Sequence, residues 1–554
     1  MAERFEQHAR TLSILTLISR ITGLVRDAAL ASVFGISPFT DAFNFAFQIP
    51  NLFRRLFGEG AISAAFIPRY TELVRDDPEA ARRYSGLLLG ALAVFLWSIV
   101  ILGEIVIFML WKDAPEIRFT VGPSMHVGGV LLPTMGVHYA RLAYELAAVM
   151  LPYMPMVCLV AVGGAALQTH GRFGPTAGSP IILNILMIAA ILGLLPFALR
   201  GSIDAETHLR AVSAAVVIAG ILQMLWTYVA LRRIKPVFAP RDPAAWASMR
   251  ATLRGAGPMM LGLGVLQINI LVDGFIASWP SVFGPTILGM QYPLAEGAMT
   301  TVTNAARIYE FPLGVFGISI ATAIFPLLSR QNNDLPAFAA TVRRGLRQTV
   351  FIGLPASVGL ILVAREAVGV LFQRGEFSAD DTARVAWVLV GFAPAIWAYQ
   401  SIHILTRAFY ALKKPMKPVA VAVSMVALNF LLNITLIFTP LREAGLAWST
   451  AICAMLQAAI LARVLAKEVP NIVDREVFAS CARSAIAVAV MGAALLAVGF
   501  ALPRGHGTGG MLVALVAKIV VGAGVYVLVA RFMRMPELPW ALGRRAPGDP
   551  PAGS

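Results

Sequence analysis

The sequence predicts an all-α polytopic membrane protein with about fourteen transmembrane helices, arranged as two six-helix repeats around a central cavity plus two further C-terminal helices. Three observations predict it. Hydrophobic residues make up 58% of the 554 and charged ones only 14%, and apolar runs recur from Thr11 to Met533. Each run of roughly twenty residues is long enough to cross about 30 Å of hydrocarbon. Basic residues concentrate in alternate connections between those runs, and segments of the first half recur in the second.

The spans fall at 11–34, 41–70, 85–110, 142–169, 179–199, 211–231, 255–279, 299–329, 348–372, 385–411, 418–438, 444–465, 480–502 and 511–533. With the N-terminus inside, inward connections hold about 27 of the 45 basic residues and outward ones about 9. Arg232, Arg233, Lys235, Arg241, Arg250 and Arg254 all lie in or beside the connection between spans six and seven. The net charge of +15 would point to nucleic acid in a soluble chain; here it is mostly a topological signal, so no nucleic-acid partner is expected. Both termini are expected in the cytoplasm. Arg20 interrupts the first apolar run and no small-residue cleavage pattern follows, so helix one reads as a retained span rather than a leader.

The repeat is visible when helix two is laid beside helix eight. AISAAFIPRY (61–70) matches SIATAIFPLL (319–328), with Pro68 on Pro326, and Pro50 matches Pro312 once about one helical turn is removed. A second echo pairs the basic turn before Asn184 with that before Asn429. Helices one to six therefore fall in register with seven to twelve, a construction used by transporters that alternate access around a midplane site. The resulting division is 1–235 for the first lobe, 236–470 for the second, 471–535 for helices thirteen and fourteen, and 536–554 for a cytoplasmic tail rich in Pro, Gly and Arg that reads as disordered.

Charge inside the spans is the main clue to function. Arg20 and Arg26 lie in helix one, Arg54 and Arg55 in helix two, and Arg307 in helix eight. A guanidinium near the bilayer centre costs about 2.5–3.5 kcal/mol on translocon scales, so such residues face a water-filled cavity, partners or an anionic ligand. Arg offers a permanently charged planar fork that binds phosphate oxygens bidentately. Arg55 stands four residues before Glu59, a spacing that favours a local pair, while Glu59, too deep to cap a helix, suits pairing with a cavity arginine. Asp41 opens helix two, where an N-terminal cap or dipole partner is the plain reading. Gly23, Pro50 and Pro312 mark places where helices one, two and eight can kink or open beside a cavity.

A second polar set comprises Asp273 in helix seven, Asn429 and Asn433 one turn apart in helix eleven, and Thr450 in helix twelve. These oxygens suit a hard monovalent cation, and polar glue between helices is the competing reading. Catalytic signatures are missing: no GxxxxGK[ST], HExxH or GxSxG occurs, and Cys158, Cys453, Cys481 and the seven histidines show no ligand spacing. The chain reads as a non-enzyme without a tightly bound cofactor, drawing its work from a gradient or a partner.

The segments SRITGLVRD, TDAF, IPNLFRRLFGEGAISAAFIP and ARIYEFPLGVFGISIATAIFP resemble the signatures of the MurJ (MviN) lipid II flippases of the MOP transporter superfamily. That resemblance implies movement of the undecaprenyl-diphosphate-linked peptidoglycan precursor from the inner to the outer leaflet of the bacterial cytoplasmic membrane. It implies that Arg20, Arg26, Arg54 and Arg307 are the substrate-binding arginines and that Asp41 is functionally sensitive. Helices thirteen and fourteen are implied to border a groove for the lipid tail. Lipid II, membrane lipids and the cell-wall synthesis machinery are the implied partners, and a monomer the transport unit. A sodium ion at Asp273, Asn429, Asn433 and Thr450 is implied too, although Asn433 stands where an acidic ligand can occur. Membrane-potential coupling is the other expected energy source, worth about 2.3 kcal/mol per charge per 100 mV. The family often has an acid just before the helix-eight arginine, where this chain has Ala306, which leaves Arg307 expected to lack a resting partner. Another polyprenyl-linked glycan, another MOP-type substrate and a polyprenyl-phosphate transferase are the alternatives.

Overall fold

The computed structural model describes residues 2–58, 61–114, 119–121, 125–127, 130–132, 135–137, 139–314, 318–501 and 507–541. The chain divides into two compact units, Met1–Thr300 with Arg374–Phe377, and Thr301–Gln373 with Ser378–Ser554.

The first unit contains α1 (Ala2–Phe34), α2 (Pro38–Phe53), a π-helical segment (Arg54–Gly58), α3 (Ala61–Asp76) and α4 (Pro78–Asp113). Short antiparallel pairs β1–β4 (Phe119–Val121, Met135–Val137) and β2–β3 (Met125–Val127, Val130–Leu132) follow. Then come α5 (Ala140–Met150), α6 (Tyr153–Thr169), α7 (Gly174–Leu199), α8 (Ala205–Leu231), α9 (Pro243–Val282) and the β5–β6 pair (Thr286–Ile287, Met290–Gln291). Helix α10 (Ala298–Pro312) crosses the boundary between units. The second unit continues with α11 (Ile318–Arg330), α12 (Leu335–Leu362), α13 (Ala364–Phe372), α14 (Ala379–Phe392), α15 (Ala395–Ala411), α16 (Met416–Leu436), α17 (Ala444–Ala466), α18 (Arg475–Ala501), α19 (Thr508–Phe532) and α20 (Glu537–Ala541). The compact units and the sequence repeats are different divisions, since α9, counted in the second repeat, packs within the first unit.

Among the described residues, 10 helices are long and apolar enough to cross a membrane, which makes the chain a multi-pass membrane protein. The four further spans in the sequence reading are helices one, two, seven and eight. Charge or a break marks three of them: α1 carries Arg20, Arg26 and Asp27, helix two is interrupted by the π segment, and helix eight is divided between α10 and α11. The apolar stretch of α9, helix seven, is described only in part.

The repeat also appears in the breaks. Predicted helix four is divided at Leu151–Pro152 into α5 and α6, and its repeat partner, helix ten, at Ala393–Pro394 into α14 and α15. A proline cannot donate to the helical ladder and clashes with the preceding turn, so equivalent prolines interrupt equivalent spans.

The core of the first unit is aromatic where helices cross. Phe66 stacks on Tyr70 with centroids 4.8 Å apart and leans on Tyr84 at 5.4 Å, and the Tyr84 hydroxyl meets that of Thr252 at 2.5 Å. Helix α4 also has a backbone neighbour: a Cβ on Gly86 would run into the main chain of Val237. Gly86→Ala is therefore expected to displace the 235–239 segment at a cost of about 1–3 kcal/mol, read as a lower melting temperature of the purified protein. In the second unit Phe338, Leu405, Phe409 and Leu461 form one buried cluster, and Phe351, Met491, Leu495 and Tyr526 another that holds α18 and α19 against α12. The Tyr526 hydroxyl donates to the Phe351 carbonyl at 2.7 Å. Lys518 of α19, buried among helices, pairs with Glu366 and donates to the Leu362 carbonyl.

The tail corrects one expectation. It was expected to be without structure from Pro536, yet it starts as α20, because the buried Glu537 carboxylate accepts from Ser480 Oγ at 2.6 Å and Arg347 Nε at 2.7 Å. Trp540 adds cation–π contacts to Arg344 and Arg347. Residues 542–554 lie outside the described part.

Beyond the end of α17, Glu468 accepts from both Lys414 and Lys417, and these bonds hold its carboxyl down at about 2. A depressed folded-state value contributes stability that is complete above the ordinary carboxylate range and disappears as pH falls from about 4.5 towards 2. Wild type should lose its stability margin over Glu468→Gln across that interval in pH-dependent melting, and the margin should shrink with added salt.

Candidate functional site

Helix α1 holds Arg26 inside protein rather than in lipid. The residue is 9% exposed, its Nε and Nη2 donate to Asp27 Oδ1 at 2.9 and 2.6 Å, and its Nη1 donates to Asn184 Oδ1 at 3.0 Å. Asn184, on α7, returns its amide N–H groups to the Ser19 carbonyl at 3.1 Å and Thr22 Oγ1 at 3.0 Å. One asparagine thus bridges the α1 backbone and its arginine, and a Cβ on Gly23 would sit 3.5 Å from that amide. The guanidinium also lies 6.0 Å from the Phe47 ring of α2. Arg20, a turn and a half earlier, is exposed. Asn184 entered the sequence reading only as a repeat landmark; its signal was an amide in an otherwise apolar span, repeat-related to Asn429.

Helix two is shaped by Pro50, which is buried within α2 and removes one ladder donor just before the backbone widens into the π segment. Arg54 and Arg55 open that segment. Arg54 Nε donates to Asn51 Oδ1 at 3.3 Å. Glu59, expected to pair with Arg55 or a cavity arginine, lies outside the described residues.

Asp41 does not cap its own helix. Ser37 is the cap of α2, in a reciprocal box with Thr40. The Asp41 carboxylate, 0% exposed, instead accepts from Ser281 Oγ at 2.6 Å, and from the Gly297 amide, the Thr300 amide and the Thr300 hydroxyl, each at 2.8 Å. It therefore supplies the anion at the start of α10, where the amides of the first turn have no helical partner and the dipole favours negative charge. Gly297, at φ +81, makes the turn that aims those amides. Asn44 adds a bond to Thr300 Oγ1 at 3.1 Å.

In the second unit, Arg307 on α10 has Glu310 one turn on, with Nη1 to Oε2 at 3.8 Å. This corrects the expectation that Ala306 leaves it without a resting partner: the acid follows the arginine instead of preceding it. Pro312 ends α10, and α11 resumes at Ile318.

The proposed cation ligands divide between the units. Asp273 accepts from Asn269 Nδ2 at 3.3 Å in the first. In the second, Asn433 donates to Asn429 Oδ1 at 2.9 Å, Ser449 donates to Asn433 Oδ1, and Asn429 donates to Ser449 Oγ at 3.3 Å, while Thr450 bonds the Leu446 carbonyl. Ser449, absent from the sequence reading, closes this ring of amides between α16 and α17. Among the described residues no group of three or more His, Cys, Asp or Glu is placed to hold a metal ion.

Comparison with known proteins covers most of the chain. The family model "Lipid II flippase MurJ" matches residues 30–516. A probable lipid II flippase MurJ of Vibrio cholerae is 31% identical over 509 residues, covering 90% of this chain and 89% of its own. One from Rhizobium tropici is 32% identical, covering 81% and 78%. The solved lipid II flippase MurJ in an inward closed conformation superposes with a TM-score of 0.73 at 22% identity, over 96% of this chain and 100% of that one. An inward-facing multidrug resistance MATE transporter of the MOP superfamily gives 0.62 at 14% identity, over 83% and 98%. By family model, relatives and fold, this chain belongs to the MurJ lipid II flippase family.

Proposed function

We propose that the chain carries lipid II from the inner to the outer leaflet of the bacterial cytoplasmic membrane by alternating access, with both termini on the cytoplasmic side. Its family membership across residues 30–516 is the observation that carries this reading. The arginines give it a chemical basis: a diphosphate joined to sugars does not cross hydrocarbon bare, and Arg20, Arg26 and Arg54 from the first half with Arg307 from the second supply donors suited to its oxygens. The tail stays in lipid beside α18 and α19 while the headgroup passes. Gly23, Pro50 and Pro312 supply the backbone freedom for the halves to rock. The chain acts as a monomeric carrier alongside the cell-wall synthesis machinery, and no bond of the substrate is made or broken. Membrane potential, or sodium at Asp273, Asn429, Asn433 and Thr450, resets the cycle.

The test is expression in bacteria depleted of their own flippase, with extracellular lipid II as the readout. Rescue supports the reading. A chain that reaches the membrane folded yet exposes no lipid II transports a different polyprenyl-linked glycan or another MOP-type substrate.

A further inference from the structure

The connection between α8 and α9 carries features that flipping does not use. Leu231 ends α8, a turn follows through Ile234, and the chain then passes along α4, where the backbone of Val237 covers Gly86 and the Phe238 ring covers Gly90. Both side chains remain largely exposed, Val237 at 47% and Phe238 at 58%. Because Gly86 and Gly90 lie at the first apolar turns of α4, these residues sit at the boundary between headgroups and hydrocarbon. Just beyond them is a surface pocket of about 310 Å³ lined by Arg241, Pro243, Trp246, Ala247 and Arg250.

The helical spacing of 243, 246, 247 and 250 puts the last four on one face of α9, while Ala245, Ser248, Met249 and Thr252 on the other face are buried. Arg254 extends the basic edge by one turn and is also exposed. Asp242, next to the pocket in the chain, is already engaged: it accepts from the Ala244 amide at 2.9 Å and pairs with Arg83 at 3.2 Å. The helix end is thus capped from within, and the attraction comes from the arginine side chains. The Trp246 indole donates to the Pro240 carbonyl at 2.8 Å, which fixes the ring in the lining.

We infer that this pocket binds the phosphate-bearing headgroup of an anionic glycerophospholipid, with Arg241 and Arg250 donating to the phosphate and Val237 and Phe238 resting among the acyl chains. Exposed apolar residues beside clustered arginines at a span's end are the combination that recognises an anionic membrane surface. The inference rests on the multi-pass architecture and not on the identity of the transported lipid.

The test uses the purified full-length chain in detergent micelles titrated with brominated phosphatidylglycerol, brominated phosphatidylcholine or inorganic phosphate. Bromine quenches a nearby indole, and subtracting the response of Trp246→Phe isolates the pocket. Brominated phosphatidylglycerol should quench the Trp246 signal, the phosphatidylcholine should not, and Arg241→Gln/Arg250→Gln should bind roughly thirtyfold more weakly. Added salt should weaken binding. Equal quenching by both lipids, or unchanged affinity in the double variant, overturns the inference. So does displacement of the lipid by millimolar inorganic phosphate, which would make this a free-anion site.

Discussion

Arg26→Ala is expected to reduce lipid II exposure per transporter molecule by roughly a hundredfold. Two charge-assisted bonds to a diphosphate together contribute about 3 kcal/mol, and each 1.4 kcal/mol is tenfold. Arg26→Lys separates charge from geometry. An ammonium keeps the charge but cannot reproduce the fork that reaches both Asp27 and Asn184. Its transport should fall about tenfold, between wild type and alanine. Surface quantification and melting of each variant separate this loss from misfolding, since removing Arg26 also deprives Asp27 of a partner. A lysine variant indistinguishable from wild type would show that only charge matters at this position.

Asp41→Ala should be the most damaging single change outside the arginines. It leaves the Ser281 hydroxyl, the Gly297 amide, and the Thr300 amide and hydroxyl without their acceptor. Buried orphaned donors cost about 1–3 kcal/mol each, so the loss should exceed about 3 kcal/mol and lower the melting temperature by several degrees. Asp41→Asn is nearly isosteric but replaces one acceptor oxygen with a donor that faces donors, and it should recover less than half of the loss. A cysteine placed at Thr301 should also label faster in either variant as the first turn of α10 loosens. Unchanged melting and labelling would mean that Asp41 is not what fixes the start of the helix carrying Arg307.

The sequence revealed depth better than neighbours. Hydropathy located the apolar spans, and the intramembrane cost of a guanidinium drew attention to the in-span arginines, among which the family resemblance picks out Arg20, Arg26, Arg54 and Arg307. Proline positions marked the interruptions of helices two and eight, because a missing donor and a ring clash act locally. What was not legible depends on chain segments far apart. Asp41 looked like a local cap because it opens a helix, yet its partners lie some 240 to 259 residues away. Asn184 was seen as a repeat landmark, and only packing of α1 on α7 makes it a ligand of Arg26. The breaks at Pro152 and Pro394 were absorbed into continuous apolar runs, since hydropathy averages over a bend. The order in α20 comes from a single buried carboxylate meeting Arg347 and Ser480, a tertiary effect that a Pro- and Gly-rich composition conceals.

Extracellular lipid II in flippase-depleted cells, measured for wild type, Arg26→Ala and Arg307→Ala at matched membrane expression, tests the arginine-clamped flippase most directly. Rescue by wild type and by neither variant is the predicted result. Full rescue by both variants would contradict the clamp, even with the family assignment intact.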